Sequence, residues 1–95
     1  MGNTGWSYDD VLPFFKRMEN YQGEITDARS SEGPLKVSEV VDRNPIYDGL
    51  FKGAGEIGIP TNKDYNGDDQ EGISYTQTTI FKGERMSAEV AYLKP

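Results

Sequence analysis

Ile73-Ser74-Tyr75-Thr76-Gln77-Thr78-Thr79-Ile80-Phe81-Lys82 alternates without a break. Ile73, Tyr75, Gln77, Thr79 and Phe81 fall on one face and Ser74, Thr76, Thr78 and Ile80 on the other, the two-residue period of a strand. β-branched and aromatic residues dominate the run, as a half-buried pleated surface requires. Working backwards, Asn44-Pro45 is a helix-start signal. Ile46, Leu50, Phe51, Ala54 and Ile57 then recur at helical spacing, and Gly58 with Pro60 stops them. This predicts a helix over 45–57 whose Gly49, Gly53 and Gly55 each weaken it by about 0.8–1 kcal/mol relative to alanine, so that it depends on packing. Working forwards, Lys82-Gly83 turns the strand, and Ser87 caps a short last helix through Leu93.

The rest of the chain supplies the partners of that strand and helix. Leu35-Lys36-Val37-Ser38 alternates and is expected as a second short strand. Ser7 with Asp10 resembles a capping box, and Val11, Phe14, Phe15 and Met18 recur at helical spacing. Pro13 interrupts that run, so a turn at 8–12 followed by a helix at 13–20 is expected. Residues 22–34 and 61–72 are polar and rich in turn formers, hence loops. The sum is an α+β fold, a small antiparallel sheet on strands 35–38 and 73–82 packed with two or three short helices. Phe14, Phe15, Leu50, Phe51, Ile73, Tyr75 and Phe81 are expected to be buried together. At 95 residues the chain is expected to be a single, partial domain.

Composition excludes several functions. A net charge of −6, with the basic residues scattered singly or in pairs, leaves no basic stripe to neutralise phosphates or an anionic bilayer. Nucleic acid and membrane are therefore not expected as partners. With no cysteine and no histidine there is no disulfide framework, no thiolate and no ordinary zinc site. No apolar run approaches the roughly 20 residues that span a bilayer, and the start has no signal-peptide core. A soluble, cytoplasmic protein is the expectation. Acid–base catalysis near neutral pH lacks its usual histidine. The carboxylate pairs Asp9/Asp10 and Asp68/Asp69 read as solvated faces, and Ser87 reads as a cap rather than a nucleophile.

Two motifs are read as coincidences. Gly53-Ala54-Gly55-Glu56-Ile57-Gly58 matches the dinucleotide fingerprint, but that mechanism needs a helix that starts at the glycines, and here a helical stripe runs into them. Asn62-x-Asp64-x-Asn66-Gly67 resembles the start of a calcium loop, yet its twelfth position is Ile73 where a bidentate glutamate should stand. A turn whose Asp and Asn side chains bond their own backbone is the expectation there.

Gly2-Asn3-Thr4-Gly5-Trp6-Ser7-Tyr8-Asp9-Asp10-Val11-Leu12-Pro13-Phe14-Phe15-Lys16-Arg17 with Glu19, and then Gly33-Pro34-Leu35-Lys36-Val37, resemble successive stretches of glucose–methanol–choline (GMC) oxidoreductases. Asp64-Tyr65-Asn66-Gly67, Gln70-x-Gly72, Gln77-x-Thr79, Gly83-x-Arg85-x-Ser87 and Ala91-Tyr92-Leu93-Lys94-Pro95 resemble the following block of the same family, in order and at similar spacing. The resemblance implies an intact protein that binds FAD and oxidises an alcohol by hydride transfer to the flavin. It also implies that this chain lies in the substrate-binding region, with Tyr75, Gln77 and Thr79 as substrate-region candidates. The family's dinucleotide-binding βαβ unit and its C-terminal histidine are not matched in these residues, and residues 24–32 lack the glycine- and aromatic-containing approach to Gly33-Pro34. The expectation is therefore a catalytically incomplete segment with no catalytic, cofactor-binding or metal-binding residues and no bound cofactor of its own. The alternatives are a free-standing interaction module, or a subunit that completes a split flavoenzyme with a partner carrying the FAD domain. The strand edges and the apolar side of the last helix point to a homodimer.

Overall fold

The computed structural model describes residues 2–94; Met1 and Pro95, the last residue of the Ala91–Pro95 stretch, lie outside the described residues. The chain forms two compact units, one of residues 1–38 with 79–95 and one of residues 39–78. The fold class is α+β, as the sequence implies.

In the first unit, helix α1 runs Tyr8–Met18. Its start is held by a full capping box: the Asp10 amide donates to Ser7 Oγ at 3.3 Å, and Asp10 Oδ2 accepts from the Ser7 amide at 3.0 Å. The break expected at Pro13 does not occur. The box starts the helix upstream, and the proline removes only the bond that would reach back to Asp9 in the first turn. Strand β1 (Glu19–Tyr21), which was not anticipated, follows α1 directly, because Glu19 is already extended at the helix end. It pairs with β2 (Leu35–Glu39) in parallel, Glu19 opposite Leu35 and Tyr21 opposite Val37. This pairing is parallel because residues 22–34 are long enough to carry the chain back to the same end. Gly33 is required at the close of that loop, where a Cβ would overlap the Met18 carbonyl.

Polar groups fill the centre of this unit. Arg29, 3% exposed, grips Glu19 with two parallel bonds, Nε to Oε2 at 2.9 Å and Nη2 to Oε1 at 2.7 Å. Its guanidinium lies 3.8 Å from the centroid of the buried Tyr21 ring. The Tyr21 amide donates to the Ser30 carbonyl at 2.8 Å, locking the loop to β1.

Strands β4 (Ile80–Phe81) and β5 (Glu84–Arg85) form an antiparallel hairpin in the same unit. Lys82 (φ 52°) and Gly83 (φ 81°) both sit in the left-handed region, as a two-residue type I′ turn requires. Ser87 Oγ accepts from the Val90 amide at 3.3 Å, and the Lys94 amide reaches the Glu89 carbonyl at 2.9 Å. That five-residue spacing makes Glu89–Leu93 a single π-helical turn, where a short α-helix was expected.

In the second unit, α2 spans Ile46–Glu56. Asn44 Oδ1 accepts from the Ile46 amide at 3.0 Å and starts it. At the other end the Ile59 amide donates to the Ala54 carbonyl (2.9 Å) and the Gly58 amide to the Gly55 carbonyl (3.1 Å), a Schellman closure around Gly58 at φ 85°. The uninterrupted strand expected over 73–82 is broken up. Ile73 bridges Thr61 in parallel, the Val40 amide donates to the Thr76 carbonyl at 3.3 Å, and within this unit only Gln77–Thr78 (β3) is regular strand. Alternation identified extended chain, but its successive pieces answer to different partners.

The common core expected of seven residues is also corrected. Phe14 (61%), Phe15 (58%) and Leu50 (56%) are exposed, whereas Phe51, Ile73, Tyr75 and Phe81 are half-buried. Helix α1 buries none of its residues.

Candidate functional site

Two side-chain clusters organise the second unit, one around Tyr75 and one around Gln77. Phe51 stacks on Tyr75 at 4.8 Å between centroids, and Tyr47 meets it edge-on at 5.9 Å. Both come from one side of α2, four residues apart, which is why they reach the same ring. The Arg43 guanidinium lies 3.7 Å from the Tyr75 centroid and bonds Glu39 at 3.1 Å. A hollow of about 270 Å³ lies beside this cluster, lined by Val40, Tyr47, Leu50, Phe51, Ser74 and Thr76 among others. A second, wholly apolar hollow of about 490 Å³ runs along α2 between Ile46, Leu50, Ile57, Ile59 and Ile73.

Gln77 is held at three points. Its amide donates to the Tyr65 hydroxyl at 2.9 Å, its Nε2 donates to Asp64 Oδ1 at 2.7 Å, and its Oε1 accepts from Asn66 Nδ2 at 2.9 Å. Asp64 Oδ1 also accepts from the Asn66 amide at 3.1 Å, and Asn62 Oδ1 from the Asp64 amide at 2.8 Å. Asn62 Nδ2 reaches the carbonyls of Asp69 and Glu71. These are the self-bonded turns expected of the calcium-like stretch. Among the described residues no three acidic side chains gather to hold a metal ion.

Of the three residues singled out in the sequence, Tyr75 and Gln77 lie in this unit, each with its own set of neighbours. Thr79 belongs to the first unit, where its carbonyl accepts from the Met86 amide at 2.8 Å. Sequence reasoning missed Arg43 and Glu39, which meet in non-helical chain where four-residue spacing gives no signal, and Tyr65, whose role depends on a contact twelve residues away. It missed the Arg29–Glu19 pair as well.

Chemically, these groups hold and orient. The Asp10 carboxyl is held below the usual range first by the Ser7 hydroxyl and then by the Ser7 amide, and it caps a helix. A flavin dinucleotide's pyrophosphate seeks outward-pointing amides at a helix N-terminus. The Gly53–Gly58 stretch instead closes the C-terminal end of α2, where carbonyls and the negative pole of the dipole lie. The N-terminus of α1 is filled by Ser7 and Asp10 with Asp9 alongside, and that of α2 carries Asp48. Neither α1 nor α2 therefore offers an open N-terminus to a pyrophosphate. No helix among them is long and apolar enough to cross a membrane.

Comparison with known proteins gives these clusters a setting. The chain is 44% identical over 95 residues to the oxygen-dependent choline dehydrogenase of Rhizobium johnstonii, covering all of this chain and 17% of that protein. It is 45% identical over 94 residues to the oxygen-dependent choline dehydrogenase of Brucella melitensis, again 17% of its length. In fold it is similar to the crystal structure of pyridoxine 4-oxidase from Mesorbium loti, with a TM-score of 0.83 and 24% identity over 97% of this chain and 18% of the other. The chain thus spans 17–18% of the length of these proteins. The family model described as GMC oxidoreductase, in its N-terminal part, matches residues 1–95. That part carries the family's FAD-binding region, which corrects the substrate-binding placement read from the sequence. With its whole length matched, the chain belongs to the flavin-dependent GMC oxidoreductase family.

Proposed function

We propose that this chain is a framework segment of an FAD-dependent oxidoreductase acting on CH–OH substrates, and that it neither retains flavin nor oxidises alcohol alone. The observation that carries this reading is the inverted distribution of its side chains. Arg29 and Gln77 are bonded within the chain, while Trp6 (78%), Ile46 (69%), Ile57 (76%) and Leu93 (77%) face outward. Apolar surface on that scale calls for another polypeptide to cover it. In an intact oxidoreductase that polypeptide is the remainder of the enzyme, which supplies the flavin seat and the reacting groups.

Tyr75 and Gln77 act in this segment by holding α2 and the 62–72 loop in shape, and Thr79 anchors the hairpin that follows. The choline dehydrogenases among its relatives make choline the first alcohol to try in the intact enzyme. The exposed faces also favour self-association of the isolated chain into a homodimer, or capture of a separate FAD-domain subunit. Equilibrium dialysis of the purified chain against FAD tests the reading. Colourless retentate with no alcohol-dependent flavin reduction is expected, and stoichiometric retained FAD overturns it. Sedimentation equilibrium at low micromolar concentration checks the dimer, which a single species at 10.6 kDa refutes.

A further inference from the structure

We propose that Asn66 is a deamidation site that Gln77 holds closed, and that its conversion releases the 62–72 loop from β3. Of the five asparagines, Asn66 alone is followed by glycine. A following residue without a side chain leaves its backbone nitrogen free to approach the asparagine Cγ. In that step the Gly67 nitrogen, losing its proton to solvent base, bonds to Asn66 Cγ, and Nδ2 leaves as ammonia after taking up a proton. Water then opens the cyclic imide to aspartate or isoaspartate. The reaction consumes water, releases ammonia and needs no oxidant or cofactor.

The structure opposes the approach in two ways. The Gly67 amide donates to the Asp64 carbonyl at 3.0 Å, and the departing nitrogen, Asn66 Nδ2, is clasped by Gln77 Oε1 at 2.9 Å. Attack therefore proceeds from a locally opened loop, and its rate follows the open fraction. Asn66 itself is exposed, so water and base reach it as soon as the clasp parts.

The product cannot close again. Gln77 presents a donating amino group at one end of its carboxamide and an accepting oxygen at the other, and the intact loop matches both ends, Asp64 accepting from the first and Asn66 donating to the second. Once residue 66 is a carboxylate, the carboxamide lies between two acceptors, and turning it over only exchanges which one faces its oxygen. The new charge also lies beside Asp64, whose Oδ1 accepts from the amide of residue 66.

The test follows the tryptic peptide 64–82 by mass spectrometry during incubation of the full chain at mildly alkaline pH. Acid formation at Asn66 should outpace that at Asn3, Asn20 and Asn62. Gln77→Leu should accelerate it about fivefold, the factor equivalent to about 1 kcal/mol for a lost hydrogen bond. An unchanged rate in a Gln77→Leu chain with the wild-type circular dichroism overturns the proposal. Should that variant fail to fold, Asn66→Asp gives an independent reading. Its 62–72 amides should exchange with solvent several times faster than in the wild type, and equal protection overturns the proposal.

Discussion

Replacing Arg29 by alanine removes two charge-assisted hydrogen bonds to Glu19 and the cation lying 3.8 Å from the Tyr21 ring centroid. The arginine is 3% exposed and its carboxylate partner 20%, so the pair is mostly withdrawn from water. Breaking a buried pair by removing one member destabilises by about 3–5 kcal/mol, because the other charge stays behind uncompensated. Solvent reaches part of Glu19, which places the expectation at the lower end, about 3 kcal/mol. Set against the roughly 5–15 kcal/mol that holds a small domain together, that loss is large. Urea unfolding followed by far-ultraviolet circular dichroism reads it as a lower midpoint at unchanged slope. A Glu19→Ala, Arg29→Ala cycle should return a coupling energy of about 1 kcal/mol or more. A loss within about 0.5 kcal/mol for Arg29→Ala, the range of a neutral surface change, would refute the polar core.

Three further outcomes follow from local geometry. Gly58→Ala should destabilise by about 1–2 kcal/mol, since no atom lies near the new Cβ and the whole effect is the left-handed backbone at φ 85°. Gly53→Ala, within α2 and equally unobstructed, should stabilise by up to about 1 kcal/mol, and the opposite ordering in thermal melts would contradict the helix-end assignment. Asp10 titrates below its ordinary value, so its capping contribution is fully present above the unfolded pKa, about 4, and is lost as pH falls through the lower folded value. Helicity of α1 should fray over that acid range in the wild type and not in Asp10→Ala, and identical acid profiles would count against the box.

What could be read from the sequence was what neighbouring residues decide. Asn44-Pro45 and Gly58 punctuate α2 correctly, Ser7 with Asp10 marks the start of α1, and Lys82-Gly83 marks the hairpin. These signals act over one turn of chain. Pro13 misled because its local penalty fell in a turn already secured by the capping box. The run 73–82 was legible as extended chain, but it has no single partner: Thr61 and Val40, distant in sequence, take its first part, and Glu84–Arg85, across the local turn, take its last. The core of the first unit was hidden from a search for apolar periodicity, because a salt bridge between residues 19 and 29 is packed into it against Tyr21. The same holds for the candidate site. Asp64 and Asn66 drew attention as a metal-like pattern, and their actual partner, Gln77, stands on a strand more than ten residues away.

A graft tests the central claim most directly. Residues 1–95 of this chain replace the matching stretch of the Rhizobium johnstonii choline dehydrogenase, of which they cover 17%. The purified chimera is then examined for bound flavin and for choline-dependent flavin reduction. If this chain is a framework segment of such an enzyme, the chimera carries FAD and choline bleaches it. A soluble chimera without flavin, or one whose flavin choline does not reduce, contradicts the account.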